Sequence, residues 1–138
     1  MTSKKLMDLL NAAAAREIQV AIQYIWQHVM VRGIEAESVA GVFQEIAVEE
    51  MKHYESIAER IDYLGGKPTV KPTEIKFGNT TKEMLQINKK AEEEAIDLYK
   101  GIIKVAIQEA DNTTKFLFED ILKAEEEHHY KFKTLLGE

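Results

Sequence analysis

Six residues in this chain have the types and the spacing to hold a pair of metal ions. Glu17 lies in AREIQVAIQY, Glu50 and His53 in VEEMKHYES, Glu92 in KAEEEAIDLY, and Glu125 and His128 in AEEEHHYKF. The interval from Glu17 to Glu50 is 33 residues, and so is that from Glu92 to Glu125. Each first Glu is followed seven residues on by a tyrosine, Tyr24 or Tyr99, and each second Glu three residues on by a histidine. Seven residues make two helical turns and three make just under one, so on helices the Glu–Tyr and Glu–His pairs each share a face.

The chemistry follows from where these acids fall. Each interrupts a largely apolar heptad seam: Leu6, Leu10, Ala13, Glu17, Val20, Tyr24 in one helix; Val39, Phe43, Ile46, Glu50, His53, Ile57 in the next; Leu85, Glu92, Ala95, Tyr99, Ile102 in a third; Phe118, Ile121, Glu125, His128, Phe132 in the last. Such seams face a bundle core, where an uncompensated ion costs several kcal/mol or more. No Lys or Arg lies on the seams to neutralise them. Two divalent cations balance four carboxylates, with one imidazole for each metal. Carboxylate and imidazole donors accept iron, manganese or zinc.

The elements that must position these groups are four long helices. The first is expected to start at Ser3 as N-cap and run to about Arg32, with Gly33 ending it. A very short linker folds the second back antiparallel, from about Ala36 to Leu64, where Gly65–Gly66 stops it. Residues 65–80, GGKPTVKPTEIKFGNT, hold both prolines and three of the glycines. A loop this long needs a geometric reason, and crossing the bundle from end to end supplies one. Thr80 and Glu83 read as a capping box for a third helix from Thr81 to about Ala110, and Asp111–Asn112–Thr113 turns into a fourth that reaches about Leu136. The expected class is all-α, a four-helix bundle with a long crossover between the second and third helices and no fifth helix, in a single domain spanning 1–138. The equal spacing of the halves suggests duplication, although little identity joins them outside the signature residues.

Composition narrows the function. The formal net charge is −6 and no long basic run occurs, which argues against a general grip on nucleic acid. The absence of cysteine excludes disulfides, thiolate sites and iron–sulfur clusters. No stretch approaches 18 apolar residues and the N-terminus lacks a signal-peptide core, so a soluble cytoplasmic protein is expected. Second apolar stripes, Ile18, Ile22, Ile25, Val29 and Ala47, Met51, Tyr54, Ala58, lie about 100° from the acid seams and suggest burial against another subunit, the alternative being one broad core face. Among neighbouring groups, Glu92 is favoured over Glu93 and Glu94 by the Tyr99 register. Glu126 with His129 falls off the seam as a solvated pair, and His28 reads as a surface or packing residue.

These motifs resemble the ferritin-like superfamily along the whole chain, and the bacterioferritin family in particular, through Glu50-Met51-Lys52-His53, Glu17-x6-Tyr24 and the segment Ile121 to His128. The resemblance implies that Glu17, Glu50, His53, Glu92, Glu125 and His128 are di-iron ligands, with Glu50 and Glu125 bridging. It implies a ferroxidase that oxidises Fe(II) with dioxygen or hydrogen peroxide and stores ferric mineral in a hollow homo-oligomeric shell. Tyr24 and Tyr99 are expected either to orient the ligands by hydrogen bonding or to be amphipathic core tyrosines. Met51 falls at the position of the haem axial ligand shared between two bacterioferritin subunits, with Ile18, Ile22 and Ile25 as a candidate haem pocket; the alternative is a methionine that only fills space in an apolar face. Bacterioferritins usually continue into a short fifth helix. Its lack here favours a shell of twelve subunits built from dimers over one of twenty-four. An alternative on the same bundle is a rubrerythrin-like peroxidase that stores no mineral, using an external electron donor. A DNA-shielding or purely structural bundle is disfavoured by the acidic balance and by ligand types in all four helices.

Overall fold

The computed structural model describes all residues from Met1 to Glu138. Four helices carry the chain: α1 Lys4–Met30, α2 Ala36–Tyr63, α3 Thr81–Gln108 and α4 Asn112–Leu135. Their bounds follow local chemistry. Ser3 caps α1, its hydroxyl accepting from the Leu6 amide. The helix ends two residues before the expected Arg32, with Val31 already extended and Gly33 at φ +97° making the turn. Thr80 accepts from the Glu83 amide, while the Glu83 carboxylate accepts from Asn79 N at 2.8 Å. The box is therefore closed one residue further out than the usual pattern. Asp111 caps α4 through Thr114 and also accepts from Arg60 of α2 at 2.8 Å.

α1 and α2 form one antiparallel hairpin and α3 and α4 the other, with α1 against α3. The segment from Leu64 to Thr80 runs the length of α1. Thr69 N donates to Asn11, Thr73 N to the Ala15 carbonyl, Lys76 N to Gln23, and the Phe77 carbonyl accepts from Gln27. This returns the chain to the far end of the bundle, so α3 runs parallel to α2, as the crossover topology requires. At its start, a Cβ on Gly66 would come within 2.5 Å of the Met7 sulfur, so glycine there permits the chain to pass tightly against α1.

The core is in two parts. Leu6, Leu10, Ile57, Ile61, Tyr99, Ile102 and Phe118 are among the residues filling one end. Val20, Tyr24, Phe43, Met84, Leu85 and Phe132 are among those filling the other. Between them lies a layer of buried acids. No helix is long and apolar enough to cross a membrane.

Candidate metal centre

Helical periodicity turns one acid from each helix into the gap between the two apolar clusters. Glu17, Glu50, Glu92 and Glu125 have no solvent exposure, and His128 is buried with them. Two groups of donors arise, each with ligand atoms within 4.8 Å of one another: Glu17, Glu50, His53 and Glu125, and Glu50, Glu92, Glu125 and His128. All six residues singled out by spacing are thus brought together. Glu50 and Glu125 belong to both groups. The His53 and His128 rings lie 6.2 Å apart and nearly stacked, one at each side.

Hydrogen bonds fix these groups. His53 Nδ1 lies 2.9 Å from Glu50 Oε1, and His128 Nδ1 lies 2.9 Å from Glu92 Oε1. The outer nitrogen of His128, Nε2, meets Glu49 Oε2 at 2.5 Å, so a half-exposed carboxylate orients the ring from behind. Glu125 Oε1 is buried without a well-aligned hydrogen bond, although His53 Nδ1 stands 3.1 Å away. A carboxylate lone pair aimed into an oxygen- and nitrogen-lined gap fits a hard or borderline divalent cation.

The electrostatics are those of crowded acids. Burial, together with the Glu125 and Glu17 carboxylates, holds the Glu50 carboxyl well above its ordinary range. Glu125 is shifted the other way: burial opposes its charge, but Arg16 and His53 more than offset that and depress its pKa. Burial disfavours the imidazolium of His53, yet Glu125, Glu17 and Glu50 win and push it up to about 12. Both tyrosines are raised well above the phenol range, chiefly by burial.

The tyrosines are less alike than their matched spacing implies. Tyr99 Oη donates to Glu17 Oε1 at 2.5 Å, reaching across from α3 to the acid of α1. The Tyr24 hydroxyl has no partner, and its ring instead packs edge-on against Phe132 at 5.5 Å. The expected hydrogen bond to a ligand carboxylate is therefore present at Tyr99 and absent at Tyr24.

One residue overturns a step of the sequence argument. Arg16, next to Glu17 and off the seam, is buried and reaches into the acid layer. Its Nη1 lies 2.9 Å from Glu50 Oε2 and bonds Glu125, its Nη2 bonds Glu92, and both Glu17 oxygens are 3.5 Å away. The seams themselves carry no cation, yet the acids are not without one. A guanidinium on a long flexible stem need not start on the face that it serves. Sequence periodicity also missed a buried amide chain along α1 and α3. Gln19 donates to Gln23, Gln23 to Asn88, Asn88 to Gln27 and Gln27 to the Phe77 carbonyl. The signal available was the run Arg16, Gln19, Gln23, Gln27 at helical spacing. Of the side candidates, His129 pairs with Glu93 at 2.9 Å on the surface, and His28 meets the Ala40 carbonyl at 2.6 Å as a packing residue.

The family model for the ferritin-like domain matches residues 7–138. The chain belongs to the ferritin-like family. Among its relatives, the bacterioferritin of Desulfovibrio desulfuricans is 33% identical over 125 residues, covering 90% of this chain and 70% of that protein. The bacterioferritin of Brucella melitensis is 30% identical over 131 residues, covering 93% of this chain and 80% of that one. A crystal structure from Bacillus anthracis, described as a ferritin-like, diiron-carboxylate protein, superposes with a TM-score of 0.95. It is 28% identical, with 99% of each chain covered. This ferritin-like chain thus shares its whole architecture with a diiron-carboxylate protein.

Proposed function

We propose that this protein is a ferroxidase that feeds an oligomeric iron store. The observation that carries the reading is that two four-membered donor groups share Glu50 and Glu125. In this reading Glu17 and His53 complete one metal position, Glu92 and His128 the other, and the shared acids bridge. Because all four helices contribute, the functional unit is residues 1–138. The likeness to bacterioferritins supports iron storage and Fe(II) oxidation as the activity, and a soluble cytoplasmic location.

Fe(II) is the substrate, and each bound ion gives one electron to dioxygen or hydrogen peroxide. The chain's own residues bind, orient and exclude water. Glu50 and Glu125, common to both donor groups, would hold the two ions side by side, so that both electrons pass to one oxidant molecule, reducing dioxygen to hydrogen peroxide or hydrogen peroxide to water with uptake of two protons. His53 and His128 supply neutral donors, which requires His53 to give up the proton that the surrounding acids stabilise. Tyr99 fixes the rotamer of Glu17. The apolar clusters above and below keep bulk water out.

The second stripes support assembly. Met51 is 47% exposed, Ile22 41% and Ile25 38% on the single chain, with Ile18 half-buried beside them and Ala47 buried at the base. Glu17 and Glu50 both sit in the acid layer, so Ile18 and Met51, one residue beyond each, lie at that level along the bundle. The exposed Met51 of α2 and the isoleucine stripe of α1 would suit a flat apolar group such as haem at a dimer interface, with Met51 as the residue that would hold its iron, and a shell of twelve subunits built from such dimers. Aerobic Fe(II) loading tests the storage reading. Hundreds of ions retained per shell are expected, whereas two per subunit with no further uptake point to a peroxidase instead. A Soret band after haem supplementation is expected of the purified protein, and its absence removes Met51 from the account.

A further inference from the structure

The Arg16 guanidinium occupies the place from which a metal pair would neutralise the core acids. One cation touches acids from all four helices: Glu17 at 3.5 Å, Glu50 at 2.9 Å, and Glu92 and Glu125 in direct contact. Three of these, Glu50, Glu92 and Glu125, also belong, with His128, to one of the metal-capable groups. A carboxylate oxygen engaged by an N–H of the guanidinium has that lone pair turned away from a metal. Charge points the same way: two divalent ions balance four carboxylates, and a fifth positive charge in a buried layer is left without a counter-ion. The arginine is also imperfectly held in its inward position, since its Nε is buried without any partner.

There is a place for it to go. A cleft of about 460 Å³ opens beside Arg16 between α1, α3 and the crossover segment, bordered by Ala12, Ala15, Gln19, Ala91, Glu94 and the exposed Lys71. The small residues leave room for the stem, and the Glu94 carboxylate, exposed on α3, offers a partner to the head group.

We propose that Arg16 competes with metal for the four core carboxylates, and that loading of the site drives its side chain outward into the cleft beside Glu94. This rests on the paired-metal reading above and adds to it a built-in cation that sets how tightly the site binds. The arginine supplies counter-charge to the acids and is exchanged for metal, so affinity reflects the difference between the two.

The test uses Zn(II), which binds such donors without redox chemistry, titrated by calorimetry into the full chain and its Arg16→Gln variant. The variant is expected to bind Zn(II) at least tenfold more tightly, and its metal-free form to melt at a lower temperature than wild type. Equal or weaker binding by the variant overturns the proposal. A crystal structure of wild type with Zn(II) bound gives a second readout that does not depend on the variant folding. The guanidinium is expected in the cleft. A guanidinium still bonded to Glu92 and Glu125 beside bound zinc overturns the competition. Failure of both wild type and variant to take up zinc instead overturns the paired-metal reading itself.

Discussion

Tyr24 and Tyr99 occupy matching positions in the two halves, yet conservative removal of the hydroxyl is expected to be costly at Tyr99 and close to neutral at Tyr24. In Tyr99→Phe the ring keeps its edge contact with Phe118, at 5.3 Å, but Glu17 Oε1 loses a donor at 2.5 Å. The nearest remaining donors are Arg16 at 3.5 Å and His53 at 3.7 Å, too long to take over. A hydrogen bond to a buried charged group contributes about 1.5–3 kcal/mol. For a chain of this length the unfolding entropy is about 0.3 kcal/mol/K, so the melting temperature should fall by about 5–10 °C. In Tyr24→Phe no hydrogen bond is lost, because the hydroxyl has none. Removing an unpartnered buried hydroxyl is neutral or stabilising by up to about 1 kcal/mol. Both variants should be melted metal-free, because bound metal adds its own linkage. The same pair should differ in metal binding: Tyr99→Phe weakens Zn(II) by about 10–100-fold through a misaligned Glu17, while Tyr24→Phe stays close to wild type. Equal losses in the two variants would refute the assignment of Tyr99 as the residue that orients Glu17.

Three further outcomes are expected. Glu50→Ala removes a carboxylate common to both donor groups, so rapid Fe(II) oxidation followed by absorbance should vanish while circular dichroism keeps its helical signal; unchanged oxidation would remove Glu50 from the site. Gln23→Leu strips the acceptor from Lys76 N at 2.9 Å and the donor from Asn88 at 3.1 Å, which should cost about 2–4 kcal/mol and speed hydrogen exchange at the Lys76 amide; undiminished protection there would show that the crossover is held by other contacts. For pH, His53 is raised from 6.5 to about 12, so its stabilisation is complete below about pH 6.5 and is lost as pH climbs towards 12. The raised Glu50 carboxyl acts in the same sense. The urea midpoint of metal-free protein should therefore fall steadily from pH 7 to pH 10, and a flat midpoint would contradict the charge state assigned to His53.

Much of this was legible in the sequence because helices convert spacing into direction. Glu50 and His53 at three residues, and the 33-residue interval repeated in both halves, were enough to predict that six side chains converge, and the proline-bearing segment was enough to predict the crossover. What escaped shares a physical cause. Arg16 acts through the length of its side chain, so its position on the helix says little about where its charge ends up. Tyr24 and Tyr99 are equivalent by register, but Arg16 and His53 approach Glu17 no closer than 3.5 Å and leave it to accept from Tyr99, whereas Glu92 is already engaged by Arg16 and His128. The Gln19–Gln23–Asn88–Gln27 chain depends on which helix lies beside α1 and on the path of residues 64–80 across it. Periodicity within one helix carries neither.

Diffraction from native crystals, with anomalous data collected on both sides of the iron edge after Fe(II) loading, bears most directly on the proposal that these acids clamp a pair of ions. Two iron peaks per subunit are predicted in the buried layer, one beside Glu17 and His53 and one beside Glu92 and His128, with Glu50 and Glu125 between them. Iron found only at surface carboxylates, or a single ion with Glu50 and Glu125 both on one side of it, would contradict the account.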